Sequence, residues 1–194
     1  MRPAVGAARR SWRATALRVV WWVRTCLGEP ARVGTELALR ASLVSRPASQ
    51  IPVYFMNHRR ADELWRMVAE ALAMIKALDP RRFQRLRRDV PRILVLPGRR
   101  SFLSPATNSC FLHERLVRDG GNVSVASILV HEAVHARLRK MGLWYLPDLR
   151  VRMEELCVKE EIAFAKLLPD ALCPKEGFLS YLEGRLRAYP PTVA

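Results

Sequence analysis

Residues Ile128–Gly142 read ILVHEAVHARLRKMG. His131 and His135 stand four apart, and Glu132 directly follows the first. On a helix of 3.6 residues per turn, positions i and i+4 lie one above the other, so both imidazoles present to one point. Ile128, Leu129, Val130, Ala133, Val134 and Leu138 surround them with apolar or small side chains. The pattern predicts a helix that is largely buried, running to Met141 and stopped by Gly142 in a left-handed conformation. Two histidines and a glutamate inside such a helix need partners. Hydrogen-bonded core histidines are the plain reading. Two imidazoles at this spacing also suit tetrahedral zinc, and HEAVH fits the H-E-x-x-H pattern of zinc proteases. Glu132 is offset from the histidines by about a third of a turn. It is placed to reach a metal-bound water as general base rather than to be a third ligand.

Catalytic zinc takes three protein ligands and leaves one position for water. The downstream segment Pro147–Pro169, PDLRVRMEELCVKEEIAFAKLLP, offers Glu154, Glu155, Glu160 and Glu161. A helical wheel puts Arg152, Glu155, Lys159 and Lys166 in one narrow arc, the expected solvent face, with Glu155 and Lys159 as an i,i+4 pair. Glu160 lies off that arc, beside Met153 and Leu167. Glu154 and Glu161 share another side with Val151, Cys157, Val158, Ala165 and Leu168, although Arg150 also falls there. A glutamate among apolar neighbours is costly unless paired or metal-bound. Glu154 is therefore the expected third ligand. Glu161, two turns on, is expected to hold a histidine's other nitrogen or to pair with Arg150 or another buried cation.

HEAVH followed by eighteen residues and then Glu154 resembles the gluzincins, zinc metallopeptidases whose third ligand is a glutamate on a following helix. Glu155 fits the looser form of that spacing. The resemblance covers about residues 123–168. The same stretch also looks like small uncharacterised bacterial proteins carrying this motif. It implies a minimal zincin-like domain in which His131, His135 and Glu154 bind zinc and Glu132 activates the zinc-bound water. It also implies a donor to the tetrahedral oxyanion, a Tyr or a His. Tyr145, just past the motif helix, is the first candidate, and His113 the second. The substrate implied is a peptide or protein.

The rest of the chain reads as an α+β scaffold around this helix. Arg46–Ile51 (RPASQI) reads as a linker, so residues 1–50 form a basic extension and 51–190 the domain. Ile51–Met56 and Arg92–Leu96 read as strands, as does Ser109–Val117. The part Cys110–Leu116 is either one strand of the sheet or the edge to which an extended peptide adds. Ala61–Leu78 has apolar residues at helical spacing. Arg81–Arg88 continues as a basic helical piece, and Glu176–Tyr189 as a last helix.

The net charge is +15, and 28 of the 33 basic residues are arginine. Eight arginines fall in Pro80–Arg100. They are either a solvated basic face or a track for nucleic-acid phosphates. Met1–Gly28 has six arginines and no acidic residue, and its apolar run Ala14–Val23 is too short to span a bilayer. Residues 11–27, with Trp21 and Trp22, fit a helix lying on an anionic membrane surface or one packed on the domain. Cys26, Cys110, Cys157 and Cys173 form no C-x-x-C pair, and Cys157 reads as a free buried thiol. A reducing, cytoplasmic setting is expected, peripheral at the membrane if residues 11–27 bind it. The reading from another class is a basic protein that binds nucleic acid or a membrane surface through a non-catalytic zincin-like fold.

Overall fold

Short apolar runs between charged helices build the sheet. The computed structural model describes residues 43–55, 60–98, 100–143 and 147–189. Residues 11–27, Cys26 and Tyr145 lie outside them. Five strands are described: β1 (Val44–Ala48), β2 (Ile51–Phe55), β3 (Ile93–Leu96), β4 (Phe102–Leu103) and β5 (Cys110–His113). Six helices are described: α1 (Ala61–Leu78), α2 (Pro80–Asp89), α3 (Glu114–Asp119), α4 (Gly121–Lys140), α5 (Pro147–Ala165) and α6 (Lys175–Arg187). The sheet order is β1-β2-β3-β5-β4, and the class is α+β. The two central pairings, β2 with β3 and β3 with β5, are parallel, and the two outer pairings are antiparallel.

One face of the sheet carries Ile51, Val53, Phe55, Ile93, Val95, Cys110 and Leu112, which join the core. Alternation along each strand sends these side chains to one side. They share that core with Leu64, Val68, Leu72 and Ile75 of α1 and with Ala126, Leu129 and Val130 of α4. The histidine helix is thus buried nearly all round as far as Ala136, as its apolar flanks predict. It packs next on α5, which in turn packs on α6.

Three expectations from the sequence are corrected. Arg46–Ile51 is not a linker. Arg46–Ala48 belong to Val44–Ala48, an edge strand paired with β2, and an edge is where Pro47 and the exposed Arg46 are tolerated. The turn that joins it to β2 holds Ser49 (φ 49°) and Gln50 (φ 69°) in the left-handed region. Second, the third strand stops at His113, and the chain passes straight into α3, where Val117 is buried. Third, Cys110–His113 is internal, flanked by β3 and β4, so it is not an edge for a peptide. The edge on that side is the two-residue β4.

Both ends of α4 are fixed. At its start Gly121 takes φ 71°, which turns the chain out of α3. At its end Gly142 takes φ 79°, and the Leu143 N–H closes on the Leu138 carbonyl at 3.0 Å. The Lys140 ammonium donates to the Arg88 carbonyl at 2.8 Å and to Asp89 at 3.1 Å. Arg88 grips the same carboxylate with two bonds of 2.9 Å. Several arginines of the basic run are therefore engaged inside the molecule. Arg82 is buried between Asp79 and Glu160, and Arg87 bonds Gln50.

Asp89 is only 1% exposed. Burial opposes its charge, but the bonds from Arg88 and Lys140 outweigh burial and hold its pKa below the ordinary carboxylate value. A carboxyl with a lowered folded-state pKa adds stability above its unfolded pKa of about 3.9. That contribution is lost as pH falls through the lowered value. Asp89→Asn should lower stability at neutral pH by about 2 kcal/mol, the range for hydrogen bonds to charged groups. Urea unfolding at pH 7 and at acid pH checks this, since the gap between wild type and variant should close in acid.

Candidate metal centre

The i, i+4 spacing on α4 places His131 Nε2 and His135 Nε2 3.1 Å apart. Glu154 enters from α5, with Oε2 3.3 Å from His131 Nε2 and Oε1 3.6 Å from His135 Nε2. Donors about 2.0–2.1 Å from one tetrahedral ion lie about 3.3 Å from each other. The two imidazoles and the carboxylate lie at close to that spacing. Glu155 is elsewhere, on the outer side of α5 and paired with Lys159.

His131 is held from behind. Its Nδ1 lies 2.7 Å from Glu161 Oε1, so the imidazole donates there and turns Nε2 toward His135 and Glu154. Glu161 is 2% exposed and also accepts from Ser127 Oγ at 2.7 Å and from Arg185 Nη1 at 3.1 Å. Arg150 is exposed, and the cation that pairs with Glu161 is the half-buried Arg185 of α6.

Protons reveal the charge balance of the site. Burial works against a charged His131, but the bonds to Glu154 and Glu161 and the charge of Glu132 win, and its pKa rises to about 9. Burial likewise works against a charged Glu154, yet both histidines hold its pKa far below the carboxylate range. Both shifts follow from the same His–Glu contacts, which favour a proton on His131 and a charge on Glu154.

Glu132 sits beside this cluster and is not part of it. Burial raises its pKa, with Glu154 adding to the rise, while the two histidines and a hydrogen bond with the Leu103 backbone oppose it. Its Oε2 is buried and has no hydrogen-bond partner among the described residues. A buried carboxylate oxygen without a partner is costly, so it marks a point at which a ligand or water is expected. Glu132 and His131 line a cleft of about 300 Å³, together with His113, Arg100, Ser101 and Arg185.

Four groups near the centre fall outside the site residues expected from the sequence. Arg185 orders Glu161. The Leu103 backbone hydrogen-bonds Glu132. Tyr189 hydrogen-bonds Arg185, and burial together with the charge of Glu154 raises its pKa. Cys157 is buried, with Sγ 3.5 Å from His135 Nε2 and 3.6 Å from Nδ1. His131, His135 and Cys157 form a group whose ligand atoms all lie within 4.8 Å. Only Cys157 carries a sequence signal, since it stands three residues after Glu154 on the same side of the helix. Among the described residues no helix is long and apolar enough to cross a membrane. The chain matches no family model, no curated protein and no solved structure.

Proposed function

We propose that the chain is a zinc-dependent hydrolase of the zincin kind, acting on a peptide carbonyl. One observation carries this reading. Two histidine nitrogens and the Glu154 carboxylate converge with tetrahedral spacing, beside a buried glutamate that has one oxygen unpartnered. His131, His135 and Glu154 would hold the ion. When bound, zinc supplies a Lewis acid that acidifies water and polarises a carbonyl.

The chain's own residues do the rest. Glu132 Oε2 takes the proton from the attacking water and returns it to the leaving nitrogen. Its raised pKa makes it the better acceptor, and the Leu103 contact holds the other oxygen. Glu161 keeps the His131 ring from rotating. His113 lines the same cleft as Glu132 and is the donor proposed for the developing oxyanion. Strand addition is not part of the proposal, because the edge strand is two residues long and the Leu103 backbone is engaged with Glu132.

Elemental analysis of the purified protein should find about one zinc per chain, the content of a mononuclear site. Metal-free wild type would overturn the reading. The two neighbouring glutamates provide the contrast. Glu154→Ala should weaken zinc binding by more than the roughly 10–100-fold cost of losing an outer partner. Glu155→Ala should leave it unchanged, since that side chain is engaged with Lys159. Competition with a chelator of known affinity measures both.

A further inference from the structure

The cleft beside the metal centre is lined by two carboxylates, Glu132 and Glu161, and two guanidiniums, Arg100 and Arg185. Glu161 is engaged with Arg185, His131 and Ser127. Glu132 stands beside the centre, where the charges that act most on it are those of His131 and His135. Arg100 is the group left over. It is exposed, and among the described residues it makes no hydrogen bond or ion pair. Beside it, Ser101 Oγ accepts from the His113 backbone N–H at 3.1 Å, which fixes the oxygen and leaves the hydroxyl hydrogen to donate. We propose that Arg100 and Ser101 recognise a carboxylate of the substrate, close to the peptide bond that is cut. This inference rests on the hydrolase reading above and names the substrate class of that same site.

Three physical points support it. Donor chemistry is the first. A guanidinium presents paired N–H groups that match the two oxygens of a carboxylate, and a hydroxyl adds a further donor. An arginine already paired with an acid would only exchange one partner for another, and Arg100 has no such partner to give up. Charge is the second. A substrate carboxylate in this cleft meets Glu132, which repels it, while Arg185 is committed to Glu161. Arg100 supplies the opposite charge that offsets the repulsion. Size is the third. About 300 Å³ is the low end for a ligand site, with room for the end of a substrate rather than a long stretch of it. Arg100 and Glu132 line the same small space, so the carboxylate and the reacting carbonyl are near neighbours. The exposed sheet edge beside them, β4, is two residues long and too short to hold a peptide by backbone pairing. Side-chain donors must then provide the recognition. A chain end and an Asp or Glu side chain offer the same carboxylate chemistry.

The test gives the zinc-loaded full chain two libraries of short N-acetylated peptides, one ending in a free carboxylate and one in an amide, with products read by mass spectrometry. Either of two results is expected. Cleavage confined to the end of the free-acid peptides identifies the chain terminus as the carboxylate. Cleavage in both libraries only beside Asp or Glu identifies a side chain. Arg100→Ala should keep its zinc and lower kcat/KM for the preferred peptide about tenfold, mainly through KM. That is the low end for a charged hydrogen bond, because Arg100 is exposed. Arg100→Lys should recover part of the loss. Binding of the preferred peptide and its amide counterpart to the metal-free chain gives a second readout, since no metal is there to take the carboxylate. Wild type should prefer the acid, and Arg100→Ala should not. Cleavage of both libraries without regard to acids overturns the inference and leaves the hydrolase standing. So does an acid preference that Arg100→Ala retains. No cleavage of either library by the zinc-bearing chain overturns both readings.

Discussion

Glu132→Gln is expected to keep its metal and lose hydrolysis. The substitution preserves shape and leaves His131, His135 and Glu154 untouched. It removes only the capacity of one carboxylate to take up a proton. General acid–base catalysis of this type contributes about 10²–10⁴-fold, so kcat should fall by that factor. Stability should not fall with it. A buried carboxylate with one unpartnered oxygen is a cost to the fold, and an uncharged amide in its place is cheaper to bury. The paired measurement is metal content and turnover of an unfolded protein substrate, with an unfolding curve alongside. Turnover equal to wild type would remove Glu132 from the chemistry. Loss of metal together with turnover would show it to be a ligand.

Glu161→Ala should have the largest effect on stability. One carboxylate serves three donors from two other helices: His131 and Ser127 on α4, and Arg185 on α6. Removing it strands a buried imidazole N–H, a hydroxyl and a half-buried guanidinium together. Breaking a buried charged pair in this way costs about 3–5 kcal/mol. A domain of this size has about 5–15 kcal/mol in total, so a large share is lost. Metal affinity should also fall, by about 10–100-fold, because the His131 ring is no longer oriented. Glu161→Gln should fall between, since its amide oxygen accepts from one donor and its NH₂ opposes the others. Urea unfolding of the metal-free forms and chelator competition separate the two effects. Wild-type stability in Glu161→Ala would show that the network adds nothing.

Strong periodicity makes much of the scaffold legible in the amino-acid sequence. Helix α1 begins and ends where its apolar spacing does, because Leu64, Val68, Leu72 and Ile75 all face one core. The strands Ile51–Phe55 and Ile93–Leu96 announce themselves as short apolar runs. The elements that stay hidden lack a local signature. The β1–β2 hairpin turns through Ser49 and Gln50, which take left-handed angles without the Asn-Gly spelling such turns favour. Strand β1 is polar because it is an edge. Helix α3 is too short for its period to separate it from the strand before it.

The centre divides along the same line. The histidine pair and the choice of Glu154 over Glu155 follow from helix geometry within each segment. Arg185, the Leu103 backbone and the closeness of Cys157 to His135 depend on how distant segments pack, which no local pattern carries.

That division has a consequence for how the centre fails. Every proposed metal donor, and the carboxylate behind them, comes from α4 and α5, two helices adjacent in the chain. Glu132, by contrast, hydrogen-bonds the backbone of Leu103, in a two-residue strand at the rim of the sheet. Short rim strands belong to the part of a fold that opens most readily in native-state fluctuations. Opening of β4 would release the base while every donor stayed in place. Activity would then fade ahead of metal loss on mild heating or in low urea, and metal content alone would overstate the fraction of working molecules.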